Sequence, residues 1–174
     1  MEDKFKIRKA VPGEGEKAAE LIRRVREAMP EEEKLWLSID ALSEEAAALD
    51  AGELYGYFAE DEDGRAGGVF LADIPGLKEY NLGRHLDFSE DKLKLVAHMD
   101  TAAVLPECRG HRLQQRLMLA AEEELRQAGY KYLLCTVHPN NPYSHGNLEK
   151  MGYRAVWQGL KYGGKLRDIM RKDI

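Results

Sequence analysis

The sequence predicts an α/β fold of the α+β kind, with a mixed, mostly antiparallel sheet of six to seven strands. Candidate strands pair as hairpins in two places, Leu54–Glu60 with Ala66–Ala72 and Arg154–Lys161 with Lys165–Met170. Elsewhere strands alternate with helical patterns, and a chain that does both builds a sheet of mixed direction. The length of 174 residues suits one domain, residues 1–174, with a substantial core.

Phe5–Arg8 alternates apolar and basic residues and reads as an edge strand. A helix follows from about Gly13 to Ala28, with an apolar stripe of Ala18, Ile22, Val25 and Met29. Arg23, Arg24 and Arg26 lie mostly off that stripe and read as a solvated face. Pro30 breaks this helix, and Glu31–Leu37 reads as a second short one in which Leu35-Trp36-Leu37 packs. Ser43 reads as the N-cap of Glu44–Leu49, with acids in the first turn, where the helix dipole favours them. Asp61-Glu62-Asp63-Gly64 is the turn of the first hairpin. Gly67-Gly68 weakens an ordinary strand and suggests a bulge or a close backbone approach. Pro75–Asp87 is a loop with a helical turn, and Ser89 opens a short helix over Asp91–Leu95.

Val96–Tyr153 carries the chemistry. An apolar strand, Val96–Leu105, ends at Pro106. Cys108-Arg109-Gly110-His111-Arg112 then leads into a helix whose stripe is Leu113, Leu117, Ala121, Leu125 and Ala128, closed by Gly129. Two arginines at a helix N-terminus oppose the dipole, and a bound anion relieves that conflict. The next strand is Tyr132–Val137. Asn141 then caps a short helix, Tyr143–Met151, with Pro142 at its first position and Gly152 at its end.

These residues resemble a known family. A strand, an R-x-x-x-x-Q turn (Arg109 to Gln114), a long helix and a strand precede N-x-x-S-x-x-x-L-E-K-x-G-Y (Asn141 to Tyr153). That order is similar to the GNAT N-acetyltransferase superfamily. The resemblance covers residues 96–170 well and the remainder by element order. It implies helices on both faces of the sheet and splayed parallel central strands, Val96–Leu105 and Tyr132–Val137. It also implies acetyl-CoA as acyl donor, its diphosphate held by the backbone of Arg109, Gly110, His111, Arg112, Leu113, Gln114 and Gln115. The family's turn usually reads Arg/Gln-x-x-Gly-x-Gly/Ala. Arg109 matches its first position, whereas Arg112 and Gln114 stand at the glycine and small-residue positions. If Arg112 requires a positive φ, the departure costs roughly 1 kcal/mol, which direct arginine–phosphate contacts offset. By the same resemblance, Ala102, Ala103 and Val104 line the pantetheine arm and the acetyl carbonyl. Asn141 either lies beside that arm or serves as the cap.

The implied reaction is transfer of an acetyl group to a primary amine by direct attack in a ternary complex, so a base or a water chain must deprotonate the amine. His98 and Asp100 are two apart on one strand and share a face. In the family a carboxylate near the position of His98 often serves as base. A histidine suits the task with its ordinary pKa of about 6.5, and Asp100 then orients it or binds the substrate's ammonium. The competing reading is a satisfied polar pair at a sheet edge. The tyrosine that often precedes Glu-Lys in the family is Leu148 here, leaving Tyr143, His138 and His145 as substitute acids. The thiolate also leaves without one, since a free thiol has a pKa of about 8.5. Tyr80 and Asn81, in the loop before the core strand, line the acceptor pocket on this reading.

A net charge of −5 argues against non-specific nucleic-acid binding and hints at a cationic acceptor such as a polyamine, an amino sugar or an N-terminal amine. With no apolar run near eighteen residues and no signal-peptide pattern, the protein is expected to be soluble and cytoplasmic, without a membrane partner. Cys108 and Cys135 lack CxxC spacing, the histidines lack HExxH spacing, and no metal is expected. His111 and His138 each follow a cysteine by three residues, but no acyl-transfer motif surrounds either pair. The chain is expected as a monomer or homodimer. A rival reading is a GNAT-fold module that binds or senses acyl-CoA with little or no turnover, and a third is a structural protein that kept only the fold.

Overall fold

β1 (Lys6–Lys9) lies at one end of the sheet and pairs antiparallel with β2 (Tyr55–Glu60), Ile7 opposite Ala59. The structure, a computed structural model, describes residues 3–161 and 163–174. β2 and β3 (Ala66–Asp73) form the expected hairpin. The Asp61 carboxylate shapes its turn by accepting from the N–H groups of Asp63 and Arg65. The register shifts between Ala59 and Glu60, which makes Gly67 an extra residue in β3. A Cβ there would lie 2.7 Å from Cys108 Sγ and 2.9 Å from a Phe5 ring carbon. The bulge and the close approach anticipated at the glycine pair both occur.

β4 (Val96–Val104), β5 (Tyr132–Val137), β6 (Arg154–Lys161) and β7 (Lys165–Asp173) complete a seven-stranded sheet among the described residues, ordered β1-β2-β3-β4-β5-β7-β6. β4 and β5 are the parallel pair at its centre, with Val96 opposite Tyr132 and His98 opposite Leu134. β7 runs three residues past Met170, because Arg171, Lys172 and Asp173 pair with Leu134, Leu133 and Tyr132. Those charged residues disguise the end of the strand.

Contacts divide the chain into two compact units. The first is Met1–Asp73 with Thr101–Glu123, and the second is Ile74–Asp100 with Glu124–Ile174. In the first, α1 (Gly15–Glu27) buries Ala18, Ile22 and Val25, and α2 (Leu42–Asp50) buries Leu42 and Leu49. These join Phe58, Val69, Leu71, Ala103 and Leu105 in one core. Ser43 is not the N-cap of α2: Ala41 holds that place without a side-chain bond. Burying Leu42 stabilises more than a serine cap, roughly 2 against 1 kcal/mol, so the helix starts two residues earlier. Glu31–Trp36 is a 3-10 turn, and Leu37 packs while Leu35 stays exposed.

In the second unit, Leu82, Val96, Leu134 and Ile169 form a core flanked by Leu86, Phe88, Tyr132, Val156 and Trp157. The loop after β3 contains a 3-10 turn, Leu82–Leu86, and α3 (Glu90–Leu93) is capped by Ser89, whose hydroxyl accepts from Lys92 N. α4 (Leu113–Gln127) crosses from the first unit into the second. α5 (Pro142–Lys150) opens with proline at its first position.

Candidate active site

The turn before α4 has an unusual backbone. Gly110 has φ +89° and Arg112 has φ +54°. A left-handed conformation favours glycine at both places, yet the second holds an arginine. Arg112 O accepts the first intrahelical bond of α4, from Arg116 N at 3.0 Å. No acid occupies the first turn of α4, and Arg109, Gly110 and Arg112 are exposed. The His111 ring meets Phe5 edge-on at 5.0 Å, anchoring the turn. Leu113 is buried, and Gln114 and Gln115 are half-buried. Two arginine side chains thus flank a helix N-terminus, an arrangement suited to a phosphate. Ala102, Ala103 and Val104 lie on β4 in the same unit, Ala103 buried and its two neighbours half-buried.

His98, Asp100, Asn141 and Tyr143 lie in the second unit. His98 is 4% exposed. Its Nε2 accepts from the N–H of Leu82 at 3.0 Å, and its Nδ1 is 4.0 Å from Asp100 Oδ1. The shared face of the pair is therefore real. Burial, helped by the Lys161 charge, pushes the imidazole down to about 3. With one lone pair committed to a backbone donor and the ring held neutral, His98 is poorly placed as a general base. The exposed Asp100 is the group of the pair open to solvent.

Asn141 is buried, its Oδ1 accepting from Ser144 N and its Nδ2 donating to Ser144 Oγ, both at 3.2 Å. The cap is the role its contacts show. Tyr143 is 73% exposed, and Leu148 on the same helix is buried. His145 sits between two carboxylates, 3.1 Å from Glu149 and 3.2 Å from Asp168, and ties α5 to β7. Asn81 does not line an open surface. It is 1% exposed, and its amide donates to Gly76 O and Leu93 O while its carbonyl accepts from Gly83 N. Tyr80 is half exposed, its ring 6.0 Å from that of His98.

The profile of the acetyltransferase (GNAT) family matches residues 18–153. The chain belongs to the GNAT acetyltransferase family. The GNAT fold is shared with solved structures of low sequence identity. One is yncA from Salmonella typhimurium, solved with its cofactor acetyl-CoA: TM-score 0.70, 16% identity, 97% of this chain and 93% of that one. Another is the mosquito arylalkylamine N-acetyltransferase like 5b: TM-score 0.71, 18% identity, 98% and 100% covered. A third is the paia N-acetyltransferase of Thermoplasma acidophilum in complex with coenzyme A: TM-score 0.65, 18% identity, 98% and 99% covered. No curated protein matches this GNAT chain.

Neither thiol of this GNAT chain is prepared as a nucleophile. Complete burial pushes the Cys135 thiol far up, and burial also raises Cys108. Two features of this chain had no signal in the sequence. Glu45 on α2 is lifted to about 7, first by burial and then by the charges of Asp73 and Glu44. Lys161 Nζ lies 3.0 Å from His85 Nε2, a pair 76 residues apart that local pattern cannot connect. No helix among the described residues is long and apolar enough to cross a membrane.

Proposed function

We propose that this chain is a single acetyl-CoA-dependent N-acetyltransferase domain acting on a primary amine by direct attack. The observation that carries the reading is the turn before α4, where Arg112 keeps a left-handed backbone at φ +54° beside Gly110 at +89°. A side chain in that conformation is strained by roughly 1 kcal/mol. That arginine, beside a second exposed arginine and with no acid in the first turn, fits a site for the donor's diphosphate. On this reading the turn from Arg109 to Gln115 holds the diphosphate, and Ala102, Ala103 and Val104 present β4 backbone to the pantetheine arm and acetyl carbonyl.

Asp100 takes the amine's proton, directly or through water. His98 positions it, offering Nδ1–H toward the carboxylate while Nε2 fixes the Leu82 turn. The amine nitrogen then attacks the thioester carbonyl and the C–N bond forms; the nitrogen gives up its second proton to water, the C–S bond breaks, and coenzyme A departs as the thiolate. With Leu148 buried and Tyr143 facing solvent, the thiolate takes its proton from water, as a thiol with a pKa of about 8.5 permits.

The test is calorimetric titration with acetyl-CoA and with CoA, for the parent and for the Arg109→Ala, Arg112→Ala double variant. Micromolar binding in the parent that weakens at least tenfold in the variant supports the reading. Absence of binding to either ligand overturns it. The buried Leu148 keeps a second reading open, a GNAT module that binds acyl-CoA with little turnover. Tight binding without CoA-thiol release across an amine panel would select that one.

A further inference from the structure

We infer that the acceptor amine belongs to a molecule that also carries a carboxylate, and that Lys161 receives this carboxylate while Asp100 receives the amine. The inference rests on the transferase reading and names its substrate class. Within the second unit, Lys161 at the end of β6 sets its ammonium 3.0 Å from His85 Nε2 on the 3-10 turn Leu82–Leu86. The His85 ring lies 4.4 Å from that of Trp157, which is four residues before Lys161 on the same strand. The same turn begins at Leu82, whose N–H holds His98, and His98 faces Asp100 at 4.0 Å. Tyr80 lies 6.0 Å from the His98 ring.

Lys161 is thus tied to that turn through His85, and Asp100 lies 4.0 Å from the histidine that the turn holds, with His85, Trp157 and Tyr80 supplying ring surface nearby. The field of Lys161 reaches both histidines, adding to burial in holding each of them neutral. A substrate carboxylate that reaches Lys161 meets an ammonium, a group that donates and has no acceptor of its own. The arrangement also selects against other acceptors. A polyamine or simple alkylamine drawn to Asp100 meets the like charge of Lys161, whereas an amino acid matches both charges. That outweighs the overall acidity of the chain, which by itself hinted at a purely cationic acceptor.

The test uses the full-length protein with saturating CoA. Aromatic and aliphatic amino acids, their amides and their decarboxylated amines are titrated by calorimetry, and then, with acetyl-CoA in place of CoA, compared as acceptors by CoA-thiol release. The expected result is that amino acids bind and react with kcat/KM at least about 30-fold above their amides. That ratio collapses toward unity in Lys161→Met through KM, and Lys161→Arg, which keeps the charge, restores it. Equal or better use of the amides or bare amines overturns the proposal while leaving the transferase reading intact. A loss in Lys161→Met that falls equally on acid and amide also overturns it. If acetyl-CoA itself does not bind, the transferase reading fails. The direct titration of amino acid against amide still decides whether Lys161 recognises a carboxylate.

Discussion

The backbone N–H of Leu82 donates to Nε2 of His98 across 3.0 Å, joining the 3-10 turn Leu82–Leu86 to the central strand β4. Removing the acceptor leaves a buried donor without its partner and opens a cavity. His98→Ala is expected to cost about 2–4 kcal/mol, and His98→Gln, which keeps an acceptor, appreciably less. Denaturant unfolding of the two variants checks this.

The same histidine makes the fold acid-sensitive. Its folded pKa of about 3 lies below the ordinary value near 6.5, so the unfolded chain binds the extra proton first. Its contribution is complete above about pH 6.5 and is lost progressively as pH falls toward 3. Melting temperature against pH should show a steeper acid limb in the parent than in His98→Gln.

Glu45 acts in the opposite direction. Burial and the Asp73 charge raise it to about 7, above an unfolded value near 4.5. The folded chain therefore holds the proton longer, and stability falls as pH rises from about 4.5 through 7. Glu45→Gln is expected to gain on the order of 1–2 kcal/mol at pH 8 and almost nothing at pH 4.5. Paired unfolding curves at the two pH values decide it.

Arg112 separates charge from backbone. Arg112→Ala keeps the left-handed strain, and Arg112→Gly removes it. The glycine variant is expected to be more stable than the alanine variant by about 1 kcal/mol. Both should lose acetyl-CoA affinity by a similar factor of about 10. If glycine restored parental affinity, backbone shape rather than charge would hold the phosphates.

Asn141 bonds Ser144 through both ends of its amide. Asn141→Ala is expected to cost about 1 kcal/mol, and Asn141→Ser, a competent cap, only a few tenths. If the serine variant keeps its melting temperature but raises the KM for acetyl-CoA, the amide serves the donor as well as the helix.

Most elements were legible because their signals are local. The spacing of Leu113, Leu117, Ala121 and Leu125 marks α4, and all four are buried. Asn141-Pro142 marks the start of α5, and the Gly67-Gly68 pair marks the bulge. Misreadings arose where burial or pairing overrode a local rule. Ser43 lost the cap of α2 to the burial of Leu42, and the charged Arg171–Asp173 joined β7 because β5 offered a partner.

The sequence by itself determined the family, the order of strands and helices, and the basic turn at Arg109–Arg112, since each depends on residues close together in the chain. Only the tertiary structure decided what the polar groups do. His98 and Asp100 share a face as their spacing requires, but the burial of one and the exposure of the other follow from the Leu82 turn packed against β4. Lys161 meets His85 because β6 returns beside that turn after 76 residues. Desolvation and charge act through space, and no local period in a sequence records which distant group will supply them.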